Sequence, residues 1–434
     1  MDRLAFPAAV MLTPRQQNAY HRARTLITGD RLAEAASMLV DMASPTGAEG
    51  PLARAVVDRL TGLGIDAQEQ ALDARQSNAF AILRGTGARA SLMLYAPTDT
   101  VTSNSADEDT PWAAAELLPE MRAEAVVADG LISGLGAHNP KGHAACAMVA
   151  FEALAESDVV PSGDLMLGLG AGGMPTDARP GMRPDSGHGV GCAHMLRQGP
   201  KPDYAVIAKS GWSVSWEEVG LAWYEVNVAG AHSYVGSRHL LPYSNAIANA
   251  GKVVADLEEW FPIWTETHRS GLVAPQGVVS FIESGWRRMT AFTPAACRIR
   301  FDLRLSPRTS AEEADRAVDM QLQTIAARHG LDLSWRRLVT IPGTTTAPDN
   351  LIIRTAIEAW EHIEGRAHQP APGMSGATDA NILRAHGVPT ARIGLPKVRR
   401  PDIDFQRGMN MASLDDMERL TRHLLYVAVA ICCD

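Results

Sequence analysis

The residues of this chain that could do chemistry are thinly spread. Lys209-Ser210-Gly211-Trp212-Ser213 invites a serine-nucleophile reading. It lacks the Gly-x-Ser-x-Gly elbow, and no Ser…Asp…His order can be argued around it, so the segment reads as a turn. His143, His188, His194 and His239 could hold a metal ion between them, but their spacing matches no recognisable ligand signature. The five cysteines are scattered and odd in number, and no two have zinc-ribbon spacing. They predict buried thiols in a reducing compartment, with Cys432-Cys433 on a frayed terminus. Trp212, Trp216 and Trp223 could line a hinge or a substrate wall, or simply pack.

Composition narrows the class. The chain has 434 residues, 46% of them apolar and 21% charged, which fits a globular protein of two domains. The formal charge of −9 excludes a general polyanion binder, and Lys397-Val398-Arg399-Arg400 is too short to reverse that. The first 12 residues carry one arginine and an apolar stretch broken by Pro7, too short for a secretory leader. No run approaches the ~20 apolar residues of a membrane span. A cytoplasmic protein with neither nucleic-acid nor membrane partners is expected.

The elements that must position any site alternate. Helix is predicted over 14–43, 48–64 and 141–156, with short buried strands at 79–83, 91–96, 164–169 and 203–208. This order implies an α/β sheet covered on both faces. The stretch 170–191, rich in glycine and proline, reads as a functional or mobile loop. From about residue 215 the order becomes strand 221–228, helix 245–260, strands 278–283 and 297–305, helix 310–329 and strand 331–339. That is the split βαβ pattern of a ferredoxin-like layer. A helix at 349–363, a strand near 390–394 and a helix at 413–431 then resume the first pattern.

Six segments carry a resemblance. Leu92 to Val101 is similar to a strand ending in Gly-His-x-Asp-Thr-Val, and Gly134 to Gly142 to Gly-x-Gly-x-x-Asp-x-Lys-Gly. Pro202 to Ile207 resembles a strand leading into a Glu-Pro pair. Val228-Ala229-Gly230-Ala231-His232-Ser233 resembles a histidine-bearing stretch, and Pro294 to Arg304 a Pro…Asp-x-Arg strand. Ser375 to Ala380, with Gly387-Val388-Pro389, resembles a Gly-x-Thr-Asp and Gly-Ile-Pro pair. In this order, around an inserted βαββαβ segment, they resemble the M20 family of zinc-dependent peptidases, deacylases and carbamoyl hydrolases. The resemblance implies an α/β, M20-like two-domain fold. Residues 1–214 and 340–434 would form the catalytic domain, and 215–339 a ferredoxin-like lid and dimerisation domain.

The resemblance also implies a dinuclear centre of His and carboxylate ligands, with an open position for water and a glutamate to move its proton. Here the first His falls on Pro97 and the bridging Asp on Asn139. The paired glutamates fall within Ala171-Gly172-Gly173, the next acidic ligand on Lys209 and the last His near Met411. Such positions cannot bind two zinc ions in the family manner, so no metal or other cofactor is expected.

The polar groups left by resemblance are Asp99, His138, Asn139, Lys141, Lys209, Ser210 and Asp379. Lys209, Asp99, His138 and His232 are the candidate catalytic residues. Asn139, Lys141, Ser210 and Asp379 are the candidate substrate contacts. Asp99, without the histidine it would orient, needs a new partner such as Lys209 or Lys141. Lys209 could stabilise a carboxylate or oxyanion, act as base or nucleophile, or fill the vacated charge hole as a structural ion pair. His232 matches a lid histidine that reaches a partner's site in dimeric members, which implies a homodimer through the lid. It could equally be a loop histidine with a local hydrogen bond.

The expected function is a metal-independent enzyme acting on a C–N, amide-type bond of a small carboxylate-bearing molecule in the interdomain cleft. The alternatives are a non-catalytic ligand-binding or regulatory protein and a hydrolase with a single relocated metal.

Overall fold

The computed structural model describes residues 11–434, so most of the stretch read for a leader lies outside the described residues. Among those residues no helix is long and apolar enough to cross a membrane. The chain forms two compact units. Among the described residues the first comprises 11–216, 346–370 and 378–434, the second 217–345 and 371–377.

The first unit is built on a six-stranded sheet. Its spatial order is Asp66–Ala71, Ser77–Leu83, Leu165–Gly170, Leu92–Pro97, Tyr204–Ala208 and Thr390–Ile393. The first two junctions are antiparallel and the rest parallel. Leu92–Pro97 and Leu165–Gly170 are buried along their whole length and read as unbroken apolar runs, as parallel strands covered on both faces must. Helix Lys141–Ala155 packs on this sheet and against helix Leu414–Cys432. It is buried almost all round, and its run of Ala and Gly lets neighbouring backbones approach. Its one carboxylate, Glu152, is held by Arg59 and Arg31 at 2.7 Å each.

The expected helix over 14–43 is two helices, Pro14–Arg24 and Gly29–Val40. The break falls where Thr28 turns extended and its hydroxyl accepts from the Arg31 amide at 3.2 Å, a fresh N-cap. Strand Asp66–Ala71 and helix Val190–Gln198 were not anticipated. The strand is a polar edge with little alternation to reveal it, and the helix begins inside the stretch read as loop.

The second unit is a four-stranded antiparallel sheet in the order Gly277–Ser284, Ala296–Leu305, Gly220–Ala229, Leu333–Ile341. Helices Ala246–His268 and Ala311–His329 pack on it through Val253, Leu257, Phe261, Val318, Leu322 and Ile325. This is the ferredoxin-like order. The first helix runs eight residues beyond its expected end despite Pro262. Phe261 and Trp264 are buried on either side of the proline, and that packing outweighs one missing backbone bond.

Candidate functional site

Strands Leu92–Pro97, Leu165–Gly170, Tyr204–Ala208 and Thr390–Ile393 run parallel, so their carboxyl ends lie together. Ligand sites of open α/β sheets form at such ends, where successive connections leave a strand in opposite directions. Here that point lies between Leu92–Pro97, whose connection runs to Leu165–Gly170 on one side, and Tyr204–Ala208, whose connection runs to Thr390–Ile393 on the other. Just beyond these strands come Thr98 and Asp99, the 171–174 turn, Lys209 and Gly394.

Asp99 is fully buried. Its carboxylate accepts from the Gly173 amide at 2.8 Å, the Met174 amide at 2.9 Å and the Thr46 hydroxyl at 2.6 Å. Burial pushes its pKa up, opposed by those hydrogen bonds and by the nearby Lys209 charge. A second buried carboxylate, Glu49, lies beside it. Glu49 accepts from the Gly172 amide at 2.8 Å and from Gln76 Nε2 at 3.3 Å, while its Oε2 has no hydrogen-bond partner. Burial, reinforced by the Asp99 charge, pushes Glu49 up to about 8. Sequence reading missed Glu49 because a glutamate just after a Pro-Thr-Gly turn looks solvated.

The Glu49 shift has a measurable consequence. The folded chain binds this proton more tightly than the unfolded one. The stabilisation is therefore full below the ordinary glutamate pKa of 4.5 and is lost as pH rises through about 8. Glu49→Gln is expected to flatten the decline of the melting temperature between those values and to be the more stable protein at the alkaline end. Parallel declines in parent and variant would refute the assignment.

Asp379 is held from the sheet side. The Tyr95 hydroxyl donates to its Oδ2 at 2.6 Å. Gly170 makes room for this bond, since a Cβ there would lie 2.0 Å from the Tyr95 hydroxyl oxygen. Gly173 is more telling still. A Cβ on it would fall 2.5 Å from Pro97 Cβ, 2.9 Å from Asp379 Oδ2 and 3.4 Å from Asp99 Oδ1. A side chain at 173 would thus enter the group formed by Pro97, Asp99 and Asp379, and the backbone has closed over that space.

Lys209 is 9% exposed, and its amide donates to the Ile393 carbonyl at 2.9 Å. Its charge lowers the pKa of Asp99, His138 and His143. His138 Nε2 lies 3.2 Å from the Pro396 carbonyl and donates to it, leaving the lone pair on a buried, unpartnered Nδ1. Burial, with the Lys397 and Lys209 charges, pushes His138 down to about 4, so it is neutral at pH 7. His143 stacks edge-on against it at 5.2 Å and accepts from the Leu395 amide at 3.0 Å. Asn139 is buried, and its Oδ1 has no partner.

Three further candidates complete the set. Lys141 donates to the Met42 carbonyl at 2.6 Å, and burial pushes its ammonium down to about 7. Ser210 is half-buried, and its carbonyl accepts from Arg392 at 2.8 Å. His232 is an exposed residue of the second unit, its Nδ1 2.9 Å from the Thr293 carbonyl and its ring stacked on Phe292. It lines a groove of ≈ 710 Å³ with Trp286, Met289 and Arg298.

These residues do not fit a dinuclear metal centre. The positions expected to supply ligands hold Pro97, Asn139, the Ala171-Gly172-Gly173 stretch, Lys209 and the neighbourhood of Met411. Among the described residues no three His, Cys, Asp or Glu side chains form a group that could hold a metal ion. A lysine charge at such a point would repel one.

The fold, by contrast, is shared. The architecture is that of the M20 peptidases and amidohydrolases. Human carnosine dipeptidase 1 matches with a TM-score of 0.72 at 13% identity, covering 98% of this chain and 99% of its own. Aminopeptidase PepT from Bacillus cereus matches at 0.65 and 18% identity, covering 94% and 99%. A dinuclear metal-binding M20 peptidase from Bacillus subtilis matches at 0.59 and 13%, covering 92% and 97%. No protein-family model matches the sequence.

Proposed function

We propose that this protein is an enzyme that acts on a C–N, amide-type bond of a small carboxylate-bearing molecule without a resident metal ion, Lys209 supplying the positive charge at the reacting centre. The observation that carries this reading is the position of the buried Lys209 directly after strand Tyr204–Ala208, next to strand Leu92–Pro97, which leads to the buried Asp99. The names of the fold's neighbours, an aminopeptidase and a dipeptidase among them, support an amide substrate.

An ammonium in a water-poor site can stabilise a substrate carboxylate or the oxyanion that develops on an attacked carbonyl. The neutral His138 offers a lone pair at Nδ1, and Asn139 Oδ1 an acceptor for a substrate N–H. Asp99, fixed by three donors, balances the lysine charge. The same charges serve hydrolysis, transfer, elimination or condensation.

A second reading, a non-catalytic ligand-binding protein, draws on the closed space at Gly173 and the fully engaged Asp99. The deciding experiment is an amide-cleavage screen of dipeptides and N-acyl amino acids. It uses protein dialysed against chelator, with metal content read by elemental analysis. Turnover that survives dialysis supports the proposal. Turnover that disappears with the chelator and returns with zinc overturns it, and a screen with binding but no turnover favours the second reading.

A further inference from the structure

A hollow of ≈ 420 Å³ opens in the first unit between the loop that follows strand Leu92–Pro97 and the loop that follows Leu165–Gly170. That volume suits a small molecule. Pro45, Val101, Met174 and Pro175 give it apolar walls, and Trp112 stands at its edge, 63% exposed. The indole N–H donates to the Glu108 carbonyl at 2.6 Å, which fixes the ring and leaves its faces for contact.

Arg179 also lines the hollow and pairs with Glu108 through one Nη. A guanidinium has five N–H donors in a fixed fork that suits a carboxylate, so this pairing leaves most of them for a ligand. Asp109, a buried carboxylate of the same lining, accepts from the Ser103 amide at 2.9 Å and from the Ser105 amide at 3.1 Å, bracing the loop that carries Glu108. A built wall, a fixed aromatic face and a half-engaged arginine thus converge on one hollow.

Its position connects it to the buried centre. Thr46 and Met174 line the hollow and also hold the Asp99 carboxylate. Thr100 and Val101 line both this hollow and a pocket of ≈ 20 Å³ around Asn139, room for a group the size of one water molecule.

We propose that this hollow binds a small carboxylate carrying an aromatic or branched aliphatic group, the apolar group against Trp112 and Met174 and the carboxylate on Arg179. As a substrate pocket it rests on the function proposed above; as a binding site it stands alone.

The test is isothermal titration of the full-length protein with N-acetylphenylalanine, N-acetylphenylalaninamide and N-acetylglycine. The first should bind, and the other two, lacking the carboxylate or the ring, should bind about tenfold more weakly or less. Trp112→Ala should weaken N-acetylphenylalanine by about tenfold, while Trp112→Phe retains most of the affinity. Arg179→Met should erase the preference for acid over amide. Equal affinities for the three compounds, no binding of any, or indifference to both the Trp112→Ala and Arg179→Met changes overturns the proposal. Titrations repeated on Lys209→Met separate the two readings. Affinity kept while turnover is lost supports both. Affinity absent with turnover dependent on Lys209 removes only the pocket, and turnover indifferent to Lys209 removes only the proposed chemistry.

Discussion

Lys209→Met is expected to lower kcat/KM on an amide substrate by about 10²–10³-fold, the cost of removing one charge-stabilising donor from a preorganised site. Methionine keeps much of the length and apolar stem and deletes only the ammonium. The backbone of the segment is pinned independently of that side chain, by Lys209 N to Ile393 O and Gly211 N to Leu395 O, both at 2.9 Å.

The loss should come with a change in pH dependence. Lys209 lowers the pKa of Asp99, His138 and His143, so its removal lets all three rise. Asp99 then takes up its proton at higher pH than in the parent, and the acid limb of the rate profile moves toward neutrality. The measurement is kcat/KM against pH for parent, Lys209→Met and Lys209→Arg, with thermal midpoints alongside. A rate within a few-fold of the parent, with only the midpoint lowered, would make Lys209 a structural ion-pair partner.

The second large effect is on stability. Restoring a carboxylate by Gly173→Glu should destabilise the first unit by on the order of 4 kcal/mol or more, a large part of a typical domain's total. Two causes add. The new Cβ meets Pro97 Cβ at 2.5 Å, a separation that real Cβ atoms do not show, so backbone must move. The carboxylate also enters beside Asp99 and Asp379, whose oxygens lie 3.4 and 2.9 Å from that Cβ, so like charges crowd in a dry place.

Gly173→Ala isolates the first cause and should cost roughly 1–3 kcal/mol. Removing the opposing Cβ with Pro97→Gly should recover part of the alanine variant's loss in a double-mutant cycle. Urea denaturation of the four proteins gives the coupling. Zero coupling between positions 97 and 173 would mean that proline and glycine do not share this space, and that the missing ligands could be returned without penalty.

The strands Leu92–Pro97 and Leu165–Gly170 were legible because burial on both faces leaves an apolar run that few other elements produce. The βαββαβ order of the second unit was legible for a related reason: its sheet alternates, as in Ala296–Leu305. Helix boundaries read less well. The break at Thr28 depends on one hydroxyl finding the Arg31 amide, and the continuation past Pro262 depends on what Phe261 and Trp264 pack against.

Of the candidate site, the resemblance of short motifs named Asp99, Lys209, His138, Asn139 and Asp379. Those identities also marked what differs from the family pattern, because Pro97 and Gly173 have no side-chain donor and a charged Lys209 repels a cation. The grouping of charges was decided only in three dimensions. As a charge partner for Asp99 the sequence offered either Lys209 or Lys141, yet Lys141 is spent on the Met42 carbonyl while the Lys209 charge lowers the pKa of Asp99. Glu49 is invisible in the sequence and sits beside Asp99. The hollow by Trp112 is made by three separate segments of the chain, the turn at Pro45-Thr46 and the loops after strands Leu92–Pro97 and Leu165–Gly170, with no shared motif. Sequence sets which groups a chain owns, whereas desolvation, charge pairing and the room left by a Cβ depend on neighbours that only the folded backbone brings together.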